Sequence, residues 1–228
     1  MSKTSIELLQ NLTQIDSPTL ANAVEQLGVR NRIQGFTDLS LRCLTPQLGC
    51  MCGFAVTAQA VTMAPEGSSR AHSVSLFMKI CEALQELPGP GVVVIQEVGP
   101  HAEFSTHCGD VLSTLFQKFG GVGLVSDAGI RDLEEVTEMG FHLFARGLVV
   151  SHANFEIVRV QVPVTICGLE IEPGDLLHGD VNGLIKVPAE GREKLPDLAA
   201  RVTERETDLR ACISEGASLE EIYKAFTH

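Results

Sequence analysis

Two short segments of the sequence carry residue types that can bind a small anion and a cation together. Gly109-Asp110 opens the amphipathic run Val111 to Gly120, and Gly129-Ile130-Arg131-Asp132 follows the apolar run Val122 to Val125. Counting from 111 to 130, twenty residues lie between the acidic residue of the first segment and the arginine of the second. A helix followed by a strand uses about that length, so we expect both segments to meet at one edge of a sheet.

Gly109-Asp110 has the composition of a helix start that leaves its first backbone N–H groups free. A glycine before the helix lets the chain turn sharply, and the free donors together with the helix dipole can hold a carboxylate. Taken alone, however, an acidic residue in the first turn of a helix is routine and indicates no binding site.

Arg131-Asp132 combines a guanidinium with a carboxylate directly after an apolar run and a glycine. Parallel-sheet proteins build their sites at that place. A carboxylate beside water can bind Mg²⁺ or Mn²⁺, and an arginine can hold a carboxylate or an enolate oxygen with two hydrogen bonds. Alone the pair would be a surface ion pair or a helix cap. Together the two segments predict a metal-assisted site for a keto acid.

Composition and charge narrow the possible functions. The 228 residues are 44% hydrophobic and 20% charged, which fits one large domain or one domain with a helical appendage. No apolar run is long enough to span a bilayer, and Met1 to Gln10 has no secretory pattern, so we expect a cytoplasmic protein without membrane partners. The net charge of −12 and the dispersed basic residues exclude nucleic acid as a direct partner.

The seven cysteines are odd in number and irregularly spaced, which argues against a disulfide framework. We expect reduced and mostly buried thiols. Cys108 lies beside the proposed site and is interpreted as a neighbour of it, because no activating histidine can be assigned from sequence. His101 and His107 flank the same loop, and structural or surface roles are favoured for both.

Strand-like and helix-like segments alternate between residues 54 and 145, which predicts an α/β fold with a largely parallel sheet. Strands are expected at 54–62, 92–95, 122–126 and 141–145, and helices at 70–87, 110–119 and directly after Arg131. An earlier helix opens at Asp16-Ser17-Pro18 and ends at Gly28, and residues 29–52 have the composition of a loop.

After residue 155 the pattern changes to short strands and turns. Val158, Val160, Val162 and Val164 alternate with other residues, which predicts one half-exposed strand. Turn sequences frame further strands at 176–179 and 184–187, so we expect a β-meander that closes the sheet. Charged segments at 189–214 and 218–226 predict two C-terminal helices, whose charges either face solvent or contact a partner subunit.

The order Gly-Asp, twenty residues, Arg-Asp resembles the signature of the divalent-metal-dependent 4-hydroxy-4-methyl-2-oxoglutarate aldolases, which belong with the ribonuclease regulator A-like proteins. Further segments resemble that family in the same order along most of the chain. They are Gly53–Thr57, Phe144–Gly147, Pro173–Asp175, Asp180-x-x-Gly183 and Val187-Pro188. Ala128 departs from the pattern, because many relatives have glycine there, and its methyl group would narrow the pocket.

The resemblance implies a swivelling β/β/α domain over residues 1–188 and C-terminal helices over 189–228 that pack on a neighbouring subunit of a trimer or hexamer. It implies that the backbone of Gly109, Asp110, Val111 and Leu112 binds the pyruvyl carboxylate. Arg131 would contact the substrate, Asp132 would ligate Mg²⁺ or Mn²⁺, and Asp110 would hold metal-bound water. Glu206, or next Glu204, would be the glutamate that a neighbouring subunit donates.

The leading hypothesis is therefore a class II lyase. It would cleave 4-hydroxy-4-methyl-2-oxoglutarate or a related 4-hydroxy-2-oxo acid to pyruvate, with Arg131 stabilising the enolate and a water held by Asp110 as one possible base. Oxaloacetate decarboxylation, which uses the same enolate, would accompany it. The alternative is a non-catalytic regulator that binds and inhibits a ribonuclease. A methyltransferase is not supported, because no strand leads into a glycine-rich nucleotide-binding loop.

Overall fold

Strands and helices follow one another along the chain much as the sequence predicts. The computed structural model describes residues 3–62 and 70–227. The helices are α1 (Lys3–Leu12), α2 (Ser17–Leu27), α3 (Arg70–Glu86), α4 (Asp110–Lys118), α5 (Leu133–Glu138), α6 (Leu195–Ser214) and α7 (Leu219–Thr227). The strands are β1 (Arg42–Cys43), β2 (Met51–Thr62), β3 (Gly91–Glu97), β4 (Gly121–Ser126), β5 (Gly129–Ile130), β6 (His142–Ala145), β7 (Gly147–Leu148), β8 (Phe155–Val160), β9 (Val164–Ile166), β10 (Leu169–Ile171), β11 (Leu176–Asp180) and β12 (Gly183–Val187).

An eight-stranded sheet forms the centre of the fold. Its order is β1-β6-β4-β3-β2-β11-β12, and β8 lies beside β2 as the eighth strand. Neighbouring strands are parallel from β2 through β3 and β4 to β6, which confirms the parallel sheet expected between residues 54 and 145. The antiparallel strands β11 and β12 continue the sheet beyond β2, as the expected meander does. The α/β class and the helical C-terminal extension are likewise confirmed.

β3 is a central strand of the sheet and is buried at almost every position. Val92, Val93, Val94 and Ile95 are fully buried, because alternate residues of the strand enter hydrophobic clusters on opposite faces. One cluster includes side chains of α3 and α4, and the other includes side chains of β9 and β10. This double cover explains the continuous apolar run, since neither face of the strand contacts water.

The N-terminal and C-terminal helices pack on each other along one side of the sheet. The Asp16 side chain accepts the Thr19 N–H at the start of α2, and Gly28 ends the helix at φ 68°. Leu20 and Ala23 of α2 share a buried cluster with Leu195 and Ala199 of α6. α6 begins at Leu195 rather than at residue 189, and its first turn contains a proline. None of the helices within the described ranges is long and apolar enough to cross a membrane.

The single alternating strand expected over residues 158–164 is wrong: β8 ends at Val160, and β9 starts at Val164. The chain breaks because Gln161 adopts φ 57° while its N–H bonds the Thr57 carbonyl at 2.7 Å, and because Pro163 has no N–H for a ladder. In the segment Met1 to Gln10, the first two residues lie outside the described part of the chain, and α1 begins at Lys3.

Candidate active site

A pocket lies beyond the ends of β3 and β4, where the segment that begins at Gly109 meets the segment that contains Arg131. Five of its lining residues are those expected to bind substrate, namely Gly109, Asp110, Val111, Leu112 and Arg131. The others are Thr106, Cys108, His152 and Phe155. Its volume is about 80 Å³, which is enough for a pyruvyl-sized group.

Main-chain hydrogen bonds hold the two halves of the pocket in register. The Gly129 N–H bonds the Ser105 carbonyl at 3.0 Å, and the His107 N–H bonds the Gly129 carbonyl at 3.1 Å. The Arg131 N–H then bonds the Cys108 carbonyl at 3.0 Å. The last of these bonds joins Cys108 and Arg131. Gly109 and Asp132, the next residues of the two parallel stretches, therefore lie beside each other.

The N-terminus of α4 is already occupied by carboxylate oxygens of the chain itself. The Asp110 N–H lies 3.3 Å from Asp132 Oδ2, and the Val111 N–H donates to Asp110 Oδ1 at 2.7 Å. Gly109 makes this approach possible: a β-carbon there would lie 2.3 Å from Asp132 Oδ2. The helix start therefore attracts carboxylates, as its unsatisfied donors and dipole require.

Asp132 faces α4 from an uncommon backbone conformation. Its φ of 55° lies in the left-handed region, which aspartate tolerates better than most residues, and its carbonyl accepts the Val136 N–H in α5. Its Oδ2 also contacts Arg131 Nε at 3.2 Å. The Oδ1 atom has no hydrogen bond within the described residues, and the side chain is 30% exposed.

The donor set at Asp132 fits a hard divalent cation held mainly by water and substrate. Mg²⁺ prefers oxygen ligands and is commonly bound through one or two carboxylates with several waters. Asp132 offers one unoccupied carboxylate oxygen beside the pocket, and Asp110 brings a second carboxylate nearby. Over residues 3–62 and 70–227, no three His, Cys, Asp or Glu side chains are grouped to hold a metal ion. Within one chain, Asp132 would ligate such an ion and Asp110 would hold water bound to it.

Cys108 lines the pocket as a protonated thiol. Burial raises the pKa of Cys108 to about 12, although hydrogen bonds with Ser113 and with the backbone of Gly109 partly oppose that increase. Its Sγ lies 3.2 Å from Ser113 Oγ. A thiol with so high a pKa is a poor nucleophile near neutral pH, which agrees with the interpretation of Cys108 as a neighbour of the site.

His107 lies behind the pocket and joins three elements through a fully buried network. Its Nε2 contacts Glu97 Oε2 at 3.0 Å at the end of β3, and its Nδ1 contacts Ser126 Oγ at 2.8 Å at the end of β4. Ser126 Oγ also accepts the Ala128 N–H at 2.9 Å. The network fixes residue 107 to both strand ends, two positions before Gly109. His107 therefore has a structural role, as favoured from sequence, and it does not line the pocket.

Glu97 is ionised in this network despite its burial. Burial by itself raises the pKa of Glu97, but hydrogen bonds from His107, Thr62 and Gly99 outweigh that effect and lower the pKa to about 2. Oε1 accepts the N–H groups of Thr62 and Gly99 at 2.9 and 2.8 Å, and Oε2 also accepts the Thr62 hydroxyl at 2.6 Å. A carboxylate with several such donors is stable in the charged form.

Glu206 does not meet the pocket within one chain. It lies on α6, where Oε1 accepts the Asn22 side-chain N–H at 3.3 Å and Oε2 lies 3.5 Å from Arg210. Glu204, the second choice, lines a separate groove between α6 and α7. His101 precedes a 3₁₀ turn at Ala102–Phe104 and is likewise absent from the pocket lining.

Sequence reasoning missed His152 and Phe155 as pocket residues. They follow β7, which pairs in parallel with β5 next to Arg131. No local pattern marks them, because their place depends on a strand pair formed across the pocket. A prediction that β7 pairs with β5 would have placed the residues after β7 at the pocket.

Comparison with known proteins gives a consistent picture. The family model described as RraA-like: Aldolase/RraA matches residues 17–186. An uncharacterized protein of Methanocaldococcus jannaschii is 28% identical over 57% of this chain and 63% of its own length. A 4-hydroxy-4-methyl-2-oxoglutarate aldolase of Thermus thermophilus is 29% identical over 45% of this chain and 63% of its own length. The chain thus spans less than two thirds of either relative.

A solved structure resembles the chain over more of its length. It is a Streptomyces coelicolor protein described as an unusual member of the RNase ES inhibitor RraA protein family. Its TM-score is 0.68 at 25% identity, and the match covers 90% of this chain and 96% of that protein.

The buried network predicts a specific acid sensitivity. Because the folded-state pKa of Glu97 is lowered from 4.5 to about 2, its ionised form stabilises the fold fully above pH 4.5, and this contribution is lost as the pH falls towards 2. We expect Glu97→Gln to lower the free energy of unfolding by roughly 2–3 kcal/mol at neutral pH, since an amide N–H₂ would face other donors. Urea unfolding at several pH values measures the difference.

The difference between wild type and Glu97→Gln should narrow as the pH falls from 4.5 towards 2, because the wild type then loses its ionised carboxylate. Glu82→Gln, at an exposed position of α3, is the matched control and should leave the free energy of unfolding unchanged. A difference of the same size at pH 6 and pH 3 would contradict the assignment.

Proposed function

This chain belongs to the RraA-like family, described as Aldolase/RraA, and from that premise we propose that it is a metal-dependent lyase acting on small 2-oxo acids. The observation that carries the proposal is that Asp110 and Arg131 line one pocket and that the Asp132 carboxylate contacts both residues beside it. A helix start that accepts carboxylates, a guanidinium and a carboxylate with a free oxygen are the groups that an α-keto carboxylate requires.

The substrate carboxylate would bind at the start of α4. Val111 and Leu112 present backbone N–H groups there, and Asp110 Oδ1 now occupies that of Val111. An incoming carboxylate would displace this side-chain oxygen and accept the same donors. The side chain of Asp110 would then be free to orient a water molecule beside the substrate, the role expected for it from sequence.

Arg131 would stabilise the negative charge that develops when a carbon–carbon bond breaks. When bound at Asp132, Mg²⁺ or Mn²⁺ supplies Lewis acidity that polarises the 2-oxo group. Arg131 Nε now contacts Asp132 Oδ2 at 3.2 Å, and its other N–H groups can face an enolate oxygen in the pocket. Placing a fixed guanidinium where charge develops is an effective way to lower such a barrier.

The proposed reaction is retro-aldol cleavage of a 4-hydroxy-2-oxo acid, with 4-hydroxy-4-methyl-2-oxoglutarate as the model substrate and pyruvate as the product. Loss of CO₂ from oxaloacetate forms the same pyruvate enolate and is proposed as a second activity. We propose that the pocket of about 80 Å³ would receive the pyruvyl part and that the rest of the substrate would lie at the pocket mouth.

A neighbouring subunit would close that mouth. We propose a trimer or hexamer in which residues 189–228 of one chain pack on residues 1–188 of the next, with Glu206 as the donated carboxylate. In support, several apolar side chains lie exposed on the C-terminal helices and at the pocket rim. They are Ile213, Leu219 and Phe226 on the helices, and Val111, Leu148 and Val150 near the pocket.

A ribonuclease-binding regulator is the second candidate. It is favoured by the likeness to the Streptomyces coelicolor protein described as a member of an RNase ES inhibitor family. The two candidates differ in a direct way: the lyase turns over 2-oxo acids without any protein partner. A stable complex with a ribonuclease, together with no pyruvate release from any 2-oxo acid tested, would favour the regulator.

Replacing Asp132 by Ala should remove metal-dependent pyruvate release. We expect at least about a 100-fold loss of kcat/KM with both oxaloacetate and 4-hydroxy-4-methyl-2-oxoglutarate, because the cation loses its proposed ligand. A lactate dehydrogenase-coupled assay with Mg²⁺ or Mn²⁺ measures the rate, and EDTA treatment of the wild type should give a similar loss. Glu138→Ala, which removes an exposed carboxylate at the far end of α5, should keep full activity. Full activity in Asp132→Ala or after EDTA would refute the proposal.

Gly109→Ala tests the close approach of the two segments. The added β-carbon would lie 2.3 Å from Asp132 Oδ2, a mobile side-chain end, so the carboxylate should move while the fold survives. We expect a stability loss of about 1 kcal/mol but at least about a tenfold loss of Mn²⁺ affinity by calorimetry. Gly147→Ala is the matched control, because no atom lies within 4 Å of its added β-carbon. Unchanged Mn²⁺ affinity in Gly109→Ala would show that metal binding does not require the Asp132 carboxylate to lie against Gly109.

A further inference from the structure

His152 shares the pocket with Asp110 and Arg131, and neither the sequence nor the family resemblance gave it a role. His152 is an exposed residue of the segment that follows β7, and it lines the pocket although it is distant in sequence from both halves of the expected site. Retro-aldol cleavage needs a group that accepts the proton of the substrate hydroxyl. The function proposed above assigns this step to no side chain and leaves it to water. Imidazole exchanges protons readily near neutral pH.

The backbone on either side of His152 is tied to the pocket. The Val149 N–H bonds the Ile130 carbonyl at 2.9 Å, and the Thr106 hydroxyl donates to the Ser151 carbonyl at 2.7 Å. The Ala153 N–H then bonds Ser151 Oγ at 3.1 Å. These bonds join the segment to both halves of the pocket, so the position of residue 152 follows that of Arg131.

Ala153 adopts a strained conformation that turns the segment into the pocket. Its φ of 45° lies in the left-handed region, which costs an alanine roughly 1 kcal/mol. Such a conformation persists only where surrounding bonds hold it, and it is frequent at functional sites. The hydrogen bonds of Ser151 and Val149 provide that hold.

The hydrogen bonding of His152 leaves one ring nitrogen available as a base. Nδ1 is in hydrogen-bonding contact with the carbonyl oxygen of Ala153. A carbonyl oxygen only accepts, so Nδ1 carries the hydrogen, and in the neutral ring Nε2 carries the lone pair. Nε2 makes no hydrogen bond in the part of the chain that the structure describes. A backbone carbonyl on Nδ1 is the usual means of fixing a histidine in this tautomer.

The other titratable groups at the pocket either have a role in the function proposed above or are protonated. Asp110 Oδ1 accepts the Val111 N–H, and Asp132 Oδ2 contacts Arg131 and the Asp110 N–H. The Cys108 thiol is held protonated by burial, as described above. His107 lies behind the pocket with both nitrogens engaged.

We propose that His152 is the general base of the lyase, with Nε2 taking the proton from the C4 hydroxyl of a 4-hydroxy-2-oxo acid. This assignment rests on the function proposed above. As the O–H bond breaks, the C4 carbonyl forms, the C3–C4 bond breaks, and its electron pair becomes the enolate of pyruvate. The proton on Nε2 then returns to C3, which gives pyruvate and leaves His152 neutral. No oxidant, reductant or further reactant is required.

If His152 is the base, the aldol cleavage should depend on it and the decarboxylation of oxaloacetate should not. Decarboxylation of oxaloacetate breaks the C3–C4 bond of a carboxylate that has no hydroxyl proton to lose, and its electron pair forms the same enolate. Only the later protonation at C3 remains, and solvent can supply that proton. Loss of the base should therefore slow cleavage far more than decarboxylation, whereas loss of a binding or folding residue should slow both.

The test compares His152→Gln with wild type on oxaloacetate and on 4-hydroxy-4-methyl-2-oxoglutarate, each with Mg²⁺. General-base removal typically costs 10²–10⁴-fold, so we expect kcat for cleavage to fall at least about 100-fold. The ratio of cleavage to decarboxylation should fall by at least about 20-fold, with KM changed less than kcat. In His152→Ala, added imidazole should restore part of the cleavage rate but not change decarboxylation. His101→Gln, outside the pocket, is the histidine control and should keep the wild-type ratio.

Equal losses of both activities in His152→Gln, or no loss of cleavage, would overturn the assignment while leaving the proposed lyase in place. A wild type that turns over neither substrate would overturn the lyase and, with it, the role of His152. The Asp132→Ala variant, which should lose both activities together, distinguishes these failures within one series of assays.

Discussion

The register between residues 105–108 and residues 129–131 is the constraint on which the rest of the site depends. Three main-chain hydrogen bonds, at 3.0, 3.1 and 3.0 Å, align these two stretches after the ends of β3 and β4. Behind them, the His107 side chain bonds Glu97 and Ser126, so side-chain hydrogen bonds stabilise the same alignment. A shift by one residue would separate Gly109 from Asp132 and turn alternate side chains to the wrong face.

This constraint concentrates opposite charges at one point of a strongly acidic chain. The net charge of −12 disfavours anions at long range, but the start of α4 and Arg131 provide a local positive potential. Asp110 and Asp132 now satisfy those donors. In the proposed function, the unoccupied Oδ1 of Asp132 would hold the cation while Oδ2 keeps its contact with Arg131. The guanidinium and the cation would then lie on either side of one carboxylate.

Strained backbone flanks the pocket on both sides. Asp132 at φ 55° and Ala153 at φ 45° are two of the four non-glycine residues with positive φ in the described chain. Asp132 places its carboxylate beside the pocket, and Ala153 directly follows His152, which lines the pocket. The buried parallel sheet can support such local cost, because its strands are covered on both faces and resist movement.

The sequence by itself determined most of the elements and predicted which polar residues of the candidate site would meet. Asp16 and Gly28 mark the ends of α2 through local hydrogen bonds, and the apolar run Val92–Ile95 marks a doubly covered strand. The spacing from Asp110 to Arg131 predicts that they approach, because a helix and a strand have fixed lengths. The tertiary structure alone decided the rest. Glu97, His107 and Ser126 meet, and His152 enters the pocket, through contacts between residues far apart in sequence, for which no local periodicity exists. Likewise, the break at Gln161 follows from a hydrogen bond to Thr57 on β2, which the alternating valines do not reveal.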